Sequence, residues 1–296
     1  MCRLFGFRSV LQSQVHRSLV QADNALCTLS EQHPDGWGVA YYVEGTPHVT
    51  RSAVSALSDR VFQRVSGVVA SETVLAHVRK ATQGTLSVLN CHPFQHGRWV
   101  FAHNGDVPNF VEYRDALVQE VSPRLRRYIL GDTDSEVIFF LVLTQLLRYG
   151  ALSSRYELSD VVSSLTTALD LVRSICDRPK ADGAEPTKSL LTCILTDGGT
   201  MVGTHGGKEL HFSTYKTRCS DRGACPNLSA SCEGPTPDGQ VNHLIFASQP
   251  LSGENVWHAM SPGEIVAVDS RMRLFDSAPE RRGEQRAALP LLALGE

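Results

Sequence analysis

Cys2 is the most informative residue in this sequence for possible chemistry, because only Met1 stands before it. A small second side chain allows methionine aminopeptidases to remove Met1, which would leave a cysteine with a free α-amine. An α-amine titrates near ~8 and a thiol near ~8.5, so one residue would then carry a base and a nucleophile together. Such a residue needs only an oxyanion hole to cleave an amide through an acyl-enzyme. Cysteine also occurs at position 2 by chance, and the segments that follow decide between these interpretations.

Residues 102–106, with the sequence Ala-His-Asn-Gly-Asp, offer two hydrogen-bond donors to one oxygen. The side-chain amide of Asn104 and the backbone N–H of Gly105 can both point at a tetrahedral oxyanion, where one donor is worth ~3 kcal/mol of transition-state stabilisation. Asn-Gly is also the favoured pair of a type I′ hairpin turn. Taken alone the segment fits the turn better, whereas together with Cys2 it predicts an oxyanion hole.

Two further segments carry side chains that can hold the charged ends of an amino acid. Arg79 ends a predicted strand, where its guanidinium can grip a carboxylate with two parallel hydrogen bonds, and Thr82 can add a hydroxyl contact. Thr133 and Glu136 fit the S/T-x-x-E capping box of a helix that begins at Asp134. The Asp134 carboxylate can bind an ammonium group there, or it can merely complement the helix dipole. A solvated arginine at a strand end is equally ordinary.

The elements that must position these residues follow from hydrophobic periodicity. The predicted strands are 3–8, 37–43, 73–79, 99–102, 190–195, 201–204, 243–247 and 264–268. The predicted helices are one or two over 110–130, broken at Pro123, one over 134–148 and one with an apolar face over 161–172. Residues 177–188 are a predicted linker. Strands, then helices, then strands is typical of an α+β layered fold and not of an alternating βαβ fold.

Length and charge narrow the class of protein. A chain of 296 residues can bury a large core, and a formal net charge of −3 gives no electrostatic reason to expect nucleic acid or a membrane surface as partner. No apolar run approaches the ~18 residues that span a bilayer. The first residues also lack the apolar stretch of a signal peptide. We therefore expect a cytoplasmic protein.

The eight cysteines do not predict a disulfide framework in a cytoplasmic chain of this length. Three of them, Cys219, Cys225 and Cys232, lie in a Gly/Pro/Ser-rich stretch over 218–239, where a nearby histidine can complete a zinc site. No C-x-x-C pair is present, which favours a plain surface loop over zinc or a local disulfide. We predict neither a metal nor a cofactor.

Together these segments resemble the class II glutamine amidotransferase family, the Ntn hydrolases with an N-terminal cysteine. The resemblance implies an α+β fold, a four-layer αββα sandwich of the Ntn hydrolase type, over residues 2–276, followed by a tail over 277–296. The segments that carry it are 1–6, 33–42, 77–84, 102–107 and 133–137, with weaker support at 195–198 and 247–251.

The resemblance also implies a role for each candidate residue: a nucleophile whose own α-amine is the base, two oxyanion donors, and groups for the charged ends of a glutamyl moiety. By this resemblance Cys2 is the nucleophile, and Asn104 and Gly105 are the oxyanion donors. Arg79 and Thr82 bind the α-carboxylate, and Asp134 binds the α-ammonium. Lys80 stands where many synthase-linked members carry a tryptophan, so the lid over glutamine can be built differently. The Asp-Gly-Trp-Gly run at 35–38 is more similar to small stand-alone members, such as the ergothioneine-pathway amidohydrolase and the glutathione-degrading amidotransferase subunit.

Length then indicates which kind of member this is. Outside the family region only the tail of about 20 residues remains, too few for a domain that binds an ammonia acceptor. No phosphate-binding G-x-x-x-x-G-K-[ST] loop or dinucleotide fingerprint is present. We therefore favour stand-alone hydrolysis of a γ-glutamyl amide through a Cys2 thioester. Three alternative functions stay open: delivery of ammonia to a separate synthase partner, an Ntn acylase acting on acyl amides, and a non-catalytic glutamyl sensor. Assembly into a homo-oligomer also stays open.

The stretch 218–243 has no counterpart motif in the family. Long irregular loops in compact domains often serve as lids or binding loops. We expect it either to shape the pocket for a leaving amine larger than ammonia or to be a solvated insertion.

Overall fold

The computed structural model describes residues 2–15, 17–22, 25–178, 186–220, 222–223, 225–236 and 238–278. Most of the predicted linker over 177–188 and nearly all of the predicted tail over 277–296 lie outside the described residues. Within the described ranges, none of the helices combines the length and the apolar character that a membrane crossing requires.

The described chain forms two antiparallel sheets and a set of helices. The strands are β1 (Arg3–Gln14), β2 (Trp37–Val43), β3 (Thr46–Ser52), β4 (Ala70–Val78), β5 (Phe94–His96), β6 (Trp99–Asp106), β7 (Leu190–Thr196), β8 (Met201–Thr204), β9 (His211–Ser213), β10 (His243–Ala247), β11 (His258–Ala259), β12 (Ile265–Val268) and β13 (Leu274–Asp276). The helices are α1 (Leu26–Leu29), α2 (Arg60–Val68), α3 (Phe110–Glu120), α4 (Pro123–Arg126), α5 (Asp134–Leu146) and α6 (Leu158–Cys176), with a π-helical segment at Arg17–Gln21 and 3₁₀ turns at Val88–Asn90 and Ala230–Cys232. The seven-stranded sheet has the order β11-β9-β10-β1-β4-β2-β3, and the six-stranded sheet has the order β13-β12-β8-β7-β6-β5.

Three hydrophobic cores separate four layers. The core between the two sheets contains Leu4 and Leu75 from one sheet and Val100 and Ile194 from the other. A second core lies between the six-stranded sheet and helices α3, α5 and α6. The third lies between the seven-stranded sheet and helices α1 and α2. Helix α5 is apolar almost all round because α3, α6 and the sheet cover it together. The α+β, four-layer αββα arrangement predicted from the sequence is confirmed.

Strand β1 lies inside the seven-stranded sheet and is buried on both faces over its first half. Leu4 faces the core between the sheets, while Phe5 and Phe7 face the outer core, as the two-residue period of a strand requires. The strand begins beside the end of β4, where Arg3 pairs with Val78. This register places Cys2 next to the residues that follow β4.

Strand β6 corrects one sequence expectation. The strand was expected to stop at residue 102, and Asn-Gly favoured a hairpin turn. Instead Asn104 and Gly105 continue the strand and pair with Thr192 and Leu191 of β7. Pairing with a long neighbouring strand therefore overrides the local turn preference, and it carries these two residues to the end of the sheet near β4 and α5.

Candidate active site

A small cleft of about 20 Å³ lies where the end of β4, the end of β6 and the start of α5 meet the beginning of the chain. Five of the six predicted site residues line it, namely Cys2, Arg79, Thr82, Gly105 and Asp134. The sixth, Asn104, is buried beside Gly105 on β6 and lies outside the lining of the cleft. Residues separated by more than a hundred positions in the sequence thus converge on one point.

The Cys2 thiol is half-buried against the backbone of Lys80. Its Sγ atom lies 3.3 Å from the Lys80 carbonyl oxygen, to which it donates, and 3.3 Å from the Lys80 N–H, which donates to it. Burial raises the pKa of the thiol above its usual value, although the hydrogen bond with Lys80 opposes the rise. The thiol therefore keeps its proton at neutral pH, and nucleophilic attack needs a nearby base. Met1, whose removal would supply such a base, lies outside the described residues.

Arg79 is buried and holds the loop that follows it. Nη1 donates to the carbonyl oxygen of Thr85 at 3.2 Å, and Nη2 donates to that of Gln83 at 2.8 Å. The side chain of Gln83 in turn donates to Asp106 Oδ1 at 3.0 Å, which fastens the loop to the end of β6. A guanidinium has five N–H donors. Two of them hold the loop, and the others can bind a carboxylate in the cleft.

The Asp134 carboxylate is held by three hydrogen bonds at the start of α5. Oδ1 accepts from the Ser135 N–H at 2.7 Å and from Ser135 Oγ at 3.0 Å, and Oδ2 accepts from the Val107 N–H at 2.9 Å. The orientation of the carboxylate is fixed by Ser135 on α5 and by Val107, the residue after β6. One lone pair of Oδ2 stays available for a donor in the cleft.

The capping box predicted at the start of α5 forms only in part. Thr133 is the N-cap, and its side chain accepts a hydrogen bond from the Glu136 N–H at 3.3 Å. Glu136 does not bond back to Thr133; it accepts from the N–H groups of Leu130 and Gly131 at 3.1 and 2.6 Å. Burial is the main cause that raises the pKa of Glu136. The residue thus fixes the turn before the helix, which holds Asp134 in place.

Gly105 occupies a position that no other residue fits. A Cβ atom there would lie 1.7 Å from the carbonyl oxygen of Leu190 and 2.4 Å from His103 Nε2. The backbone of β6 therefore packs directly on β7 and on the imidazole ring of His103. For the neighbouring Asn104, no side-chain hydrogen bond is found within the described ranges, so its amide is not committed elsewhere.

Three buried histidines beside the cleft were not identified as site residues from the sequence. The rings of His77 and His92 lie 4.2 Å apart, and their ring nitrogens have no hydrogen-bond partner among the described residues. His92 and His103 both line the cleft. Burial is the largest cause that lowers the pKa of His77 to about 3 and that of His92 well below its usual value, so both rings are neutral at neutral pH. The alternation along β4, which puts His77 on the same face as Arg79, was the available signal.

A family model for class-II glutamine amidotransferases matches residues 1–178. This chain belongs to that family.

Individual relatives of this class-II glutamine amidotransferase agree with the assignment. The Saccharomyces cerevisiae protein named probable glutamine amidotransferase DUG3 is 28% identical over 307 residues, which cover 93% of this chain and 84% of that protein. The gamma-glutamyl-hercynylcysteine sulfoxide hydrolase of Mycobacterium tuberculosis is 40% identical over 78 residues, 26% of this chain and 34% of that protein. The solved structure of a glutamine aminotransferase class-II domain protein from Silicibacter pomeroyi has a TM-score of 0.61 and 22% identity, covering 94% of this chain and 99% of that one. This last likeness shows the fold, and the predicted enzyme family and Ntn-type architecture are confirmed.

The structure also contains a much larger cavity of about 640 Å³ near the other half of β1. Cys219, Cys225 and Cys232 line it, and the lining reaches along β1 only as far as Phe7. Five residues of extended strand separate Phe7 from Cys2, roughly 17 Å. In the described part of the chain, no group of three or more His, Cys, Asp or Glu side chains could hold a metal ion.

Eight residues of the irregular stretch 218–243 line this second cavity, and none of the described residues of the stretch lines the cleft of Cys2. The lining of the cleft therefore gives no support to a leaving-amine pocket formed by this stretch, and the solvated insertion is the alternative that agrees with it. All eight cysteines are free thiols.

Proposed function

We propose that this chain hydrolyses a γ-glutamyl amide, either glutamine or a γ-glutamyl conjugate, by itself and through a thioester on Cys2. The observation that carries the proposal is the convergence of a thiol, a strand with an obligatory glycine, a guanidinium and a fixed carboxylate in one cleft. A γ-glutamyl group has a carbonyl carbon at one end and a zwitterionic head at the other. The cleft supplies a complementary group for each part.

The proposed reaction needs Met1 to be removed. The α-amine of Cys2 then takes the thiol proton, and the thiolate attacks the amide carbon. The carbonyl oxygen becomes an oxyanion that the Gly105 N–H and the Asn104 amide stabilise. The proton passes from the α-ammonium to the departing nitrogen as the C–N bond breaks. Water then attacks the thioester, which releases glutamate and restores the thiol.

Recognition of the zwitterionic head rests on opposite charges at the cleft. The free N–H groups of Arg79 bind the α-carboxylate, with the Thr82 hydroxyl beside them. The open lone pair of Asp134 Oδ2 accepts a hydrogen bond from the α-ammonium. An acyl amide without an amino-acid head would leave both charges unpaired in a confined site, and this argues against an acylase.

Similarity to a relative that is named as a γ-glutamyl conjugate hydrolase supports a conjugate as substrate and hydrolysis without a synthase partner. We propose that residues 2–276 form one amidotransferase-like domain. We also propose a cytoplasmic location, because free cysteines are typical of a reducing compartment.

The test is an assay of the purified chain with glutamine, with a γ-glutamyl dipeptide and with an N-acyl amide. Glutamate, ammonia and free amine are quantified separately. We expect glutamate from both γ-glutamyl compounds and no cleavage of the acyl amide. Cleavage of the acyl amide alone would contradict the proposal. Glutamate release that appears only after a partner protein is added would favour ammonia delivery instead.

A further inference from the structure

A chain of hydrogen bonds runs from the proposed ammonium-binding carboxylate into the protein interior. Asp134 Oδ1 lies 3.0 Å from Ser135 Oγ, Ser135 Oγ lies 2.8 Å from His103 Nδ1, and His103 Nε2 lies 2.9 Å from the carbonyl oxygen of Leu190. Ser135 and His103 are both buried. The geometry therefore links the Asp134 carboxylate to a titratable ring that also lines the cleft.

The hydrogen-bond donors and acceptors in this series limit the protonation state of the His103 imidazole. The Leu190 carbonyl can only accept, so His103 Nε2 carries a hydrogen. In a neutral ring Nδ1 then carries no hydrogen, and the single hydroxyl proton of Ser135 can be donated either to His103 Nδ1 or to Asp134 Oδ1. The other contact would bring two lone pairs to within about 3 Å of each other. Two states supply a proton to every contact: a ring protonated on both nitrogens with Asp134 ionised, or a neutral ring with Asp134 protonated on Oδ1. The backbone N–H groups of Ser135 and Val107 both donate to Asp134, which favours the ionised carboxylate and hence the protonated ring.

We propose that His103 and Ser135 are positioning residues that form a proton-filled relay to Asp134. His103 is an imidazolium, its Nδ1–H donates to Ser135 Oγ, and the Ser135 hydroxyl donates to Asp134 Oδ1. Only the effect of the relay on substrate binding rests on the proposed function; the protonation of His103 does not. It keeps the Asp134 carboxylate ionised and turns Oδ2 toward the α-ammonium of a γ-glutamyl group.

Of the charged groups near His103 in the cleft, the Asp134 carboxylate favours an imidazolium and the Arg79 guanidinium opposes it. On the β4 side of His103 lie Arg79 and the neutral ring of His77, and the neutral ring of His92 lies beside them. From β7 it meets Cys193, whose pKa burial raises, so that it stays an uncharged thiol. Asp134 is the anion in contact with the relay, and an imidazolium two hydrogen bonds away balances its charge.

The first test is ¹⁵N NMR of the free protein labelled at its histidine rings, at neutral pH. We expect His103 to show both ring nitrogens protonated, with a one-bond proton coupling on each. The variant Ser135→Ala identifies the resonance and should return the ring to a neutral form. A wild-type spectrum with His103 in the neutral Nε2–H form would overturn the relay, whether or not the enzyme is active.

The second test separates the relay from the proposed function. In Ser135→Ala we expect the KM of a γ-glutamyl substrate to rise about 10-fold, with kcat within about 2-fold of wild type. An analogue without the α-ammonium should keep its KM, and Ser135→Thr, which retains the hydroxyl, should restore the wild-type value. An unchanged KM in folded Ser135→Ala would refute the relay. Absence of γ-glutamyl hydrolysis in the wild type would refute the proposed function instead.

Discussion

The cleft of Cys2 and the cavity of Cys219, Cys225 and Cys232 both contain thiols but differ in how their walls are built. The cleft has a volume of about 20 Å³ and is formed by the ends of regular strands and the start of a helix. The cavity, at about 640 Å³, is lined by β1 residues between Phe7 and Gln14 and by irregular segments over 216–227 and 251–255. The largest pocket is the usual first hypothesis for an active site. Here the fixed polar groups converge on the small one.

Electrostatics separates the two regions further. In the cleft, a carboxylate fixed by three hydrogen bonds lies in the same lining as a guanidinium that retains free donors. Lys216, Glu254 and His243 line the cavity, where burial and the nearby Lys216 lower the pKa of His243 to about 4. Opposite charges held in fixed orientations, more than the volume of a cavity, indicate a site for a zwitterionic substrate.

The largest expected effect comes from the thiols. We expect Cys2→Ala to lower γ-glutamyl amide hydrolysis by on the order of 10⁴-fold or more, because no acyl-enzyme can form. The matched control is Cys225→Ala in the large cavity, which should keep wild-type activity. Steady-state kinetics on both variants checks the prediction. Retained turnover in Cys2→Ala, or an equal loss in Cys225→Ala, would remove the distinction between the two regions.

A second comparison uses two glycines. In Gly105→Ala the new Cβ would meet the Leu190 carbonyl at 1.7 Å, so β6 must shift and misplace an oxyanion donor. We expect a loss of about 10²- to 10³-fold in kcat. Gly223, near the large cavity, has no atom within 4 Å of an added Cβ. Gly223→Ala should match the wild type in kcat and in thermal unfolding, and near-normal kcat in Gly105→Ala would argue against an oxyanion hole on β6.

The groups proposed to bind the zwitterionic head should give the next largest effects. Asp134→Asn should lower kcat/KM by about 10- to 100-fold for substrates with a free α-ammonium, because a charged hydrogen bond is lost. Analogues without that ammonium should lose far less. Arg79→Lys should also reduce kcat/KM although the charge is kept, since lysine cannot bind a carboxylate with a planar fork. Near-normal kcat/KM in both variants would favour an acyl-amide substrate.

Stability against acid should depend on histidines in both regions. His77 titrates at about 3 and His243 at about 4 in the folded state, below the ordinary value of 6.5, and His92 is lowered as well. Their folded-state pKa values are depressed, so the stabilisation is complete above pH 6.5 and is lost as pH falls toward those values. Each neutral ring that must take up a proton on unfolding contributes a slope of up to about 1.4 kcal/mol per pH unit.

Urea unfolding between pH 7.5 and 5, above the range in which most carboxylates titrate, measures this slope. The variant His243→Gln should remove one such contribution and leave hydrolysis unchanged. An equal pH slope in His243→Gln and in the wild type would show that the ring of His243 is not held neutral in the folded state.

The smallest effect is expected from the irregular wall of the large cavity. Replacing residues 220–231 by a short Gly/Ser linker should leave kcat/KM for glutamine and for a γ-glutamyl conjugate within about 2-fold of wild type, because these residues do not line the cleft. A selective loss with the conjugate would restore a role for this stretch in binding the leaving amine.

Much of the fold could be predicted because apolar alternation marks strands buried on one or both faces. The predicted limits of the strands at 37–43, 201–204 and 243–247 are those of β2, β8 and β10. β3 was missed because it is a half-exposed edge strand, rich in polar residues. Helix α2 was also missed, although Asp59 caps it by accepting from the Val61 N–H.

The predicted site residues converge because their segments end at the same edges of two sheets. The supporting groups could not be predicted in the same way. Local sequence favours a turn at Asn104, whereas pairing with β7 makes a strand there. Nothing in the pattern indicated that Glu136 would bond to Leu130 and Gly131, or that His103 would contact Ser135. These contacts depend on which strand and helix ends the packing brings together.

The most direct test of the account is intact-mass and peptide-mass analysis of the chain before and after treatment with the glutamine-analogue electrophile diazo-oxo-norleucine. The account predicts a mature chain that begins at Cys2 and a single adduct on that residue, which glutamine prevents. An adduct on Cys219, Cys225 or Cys232 in place of Cys2, or a fully active chain that retains Met1, would contradict it.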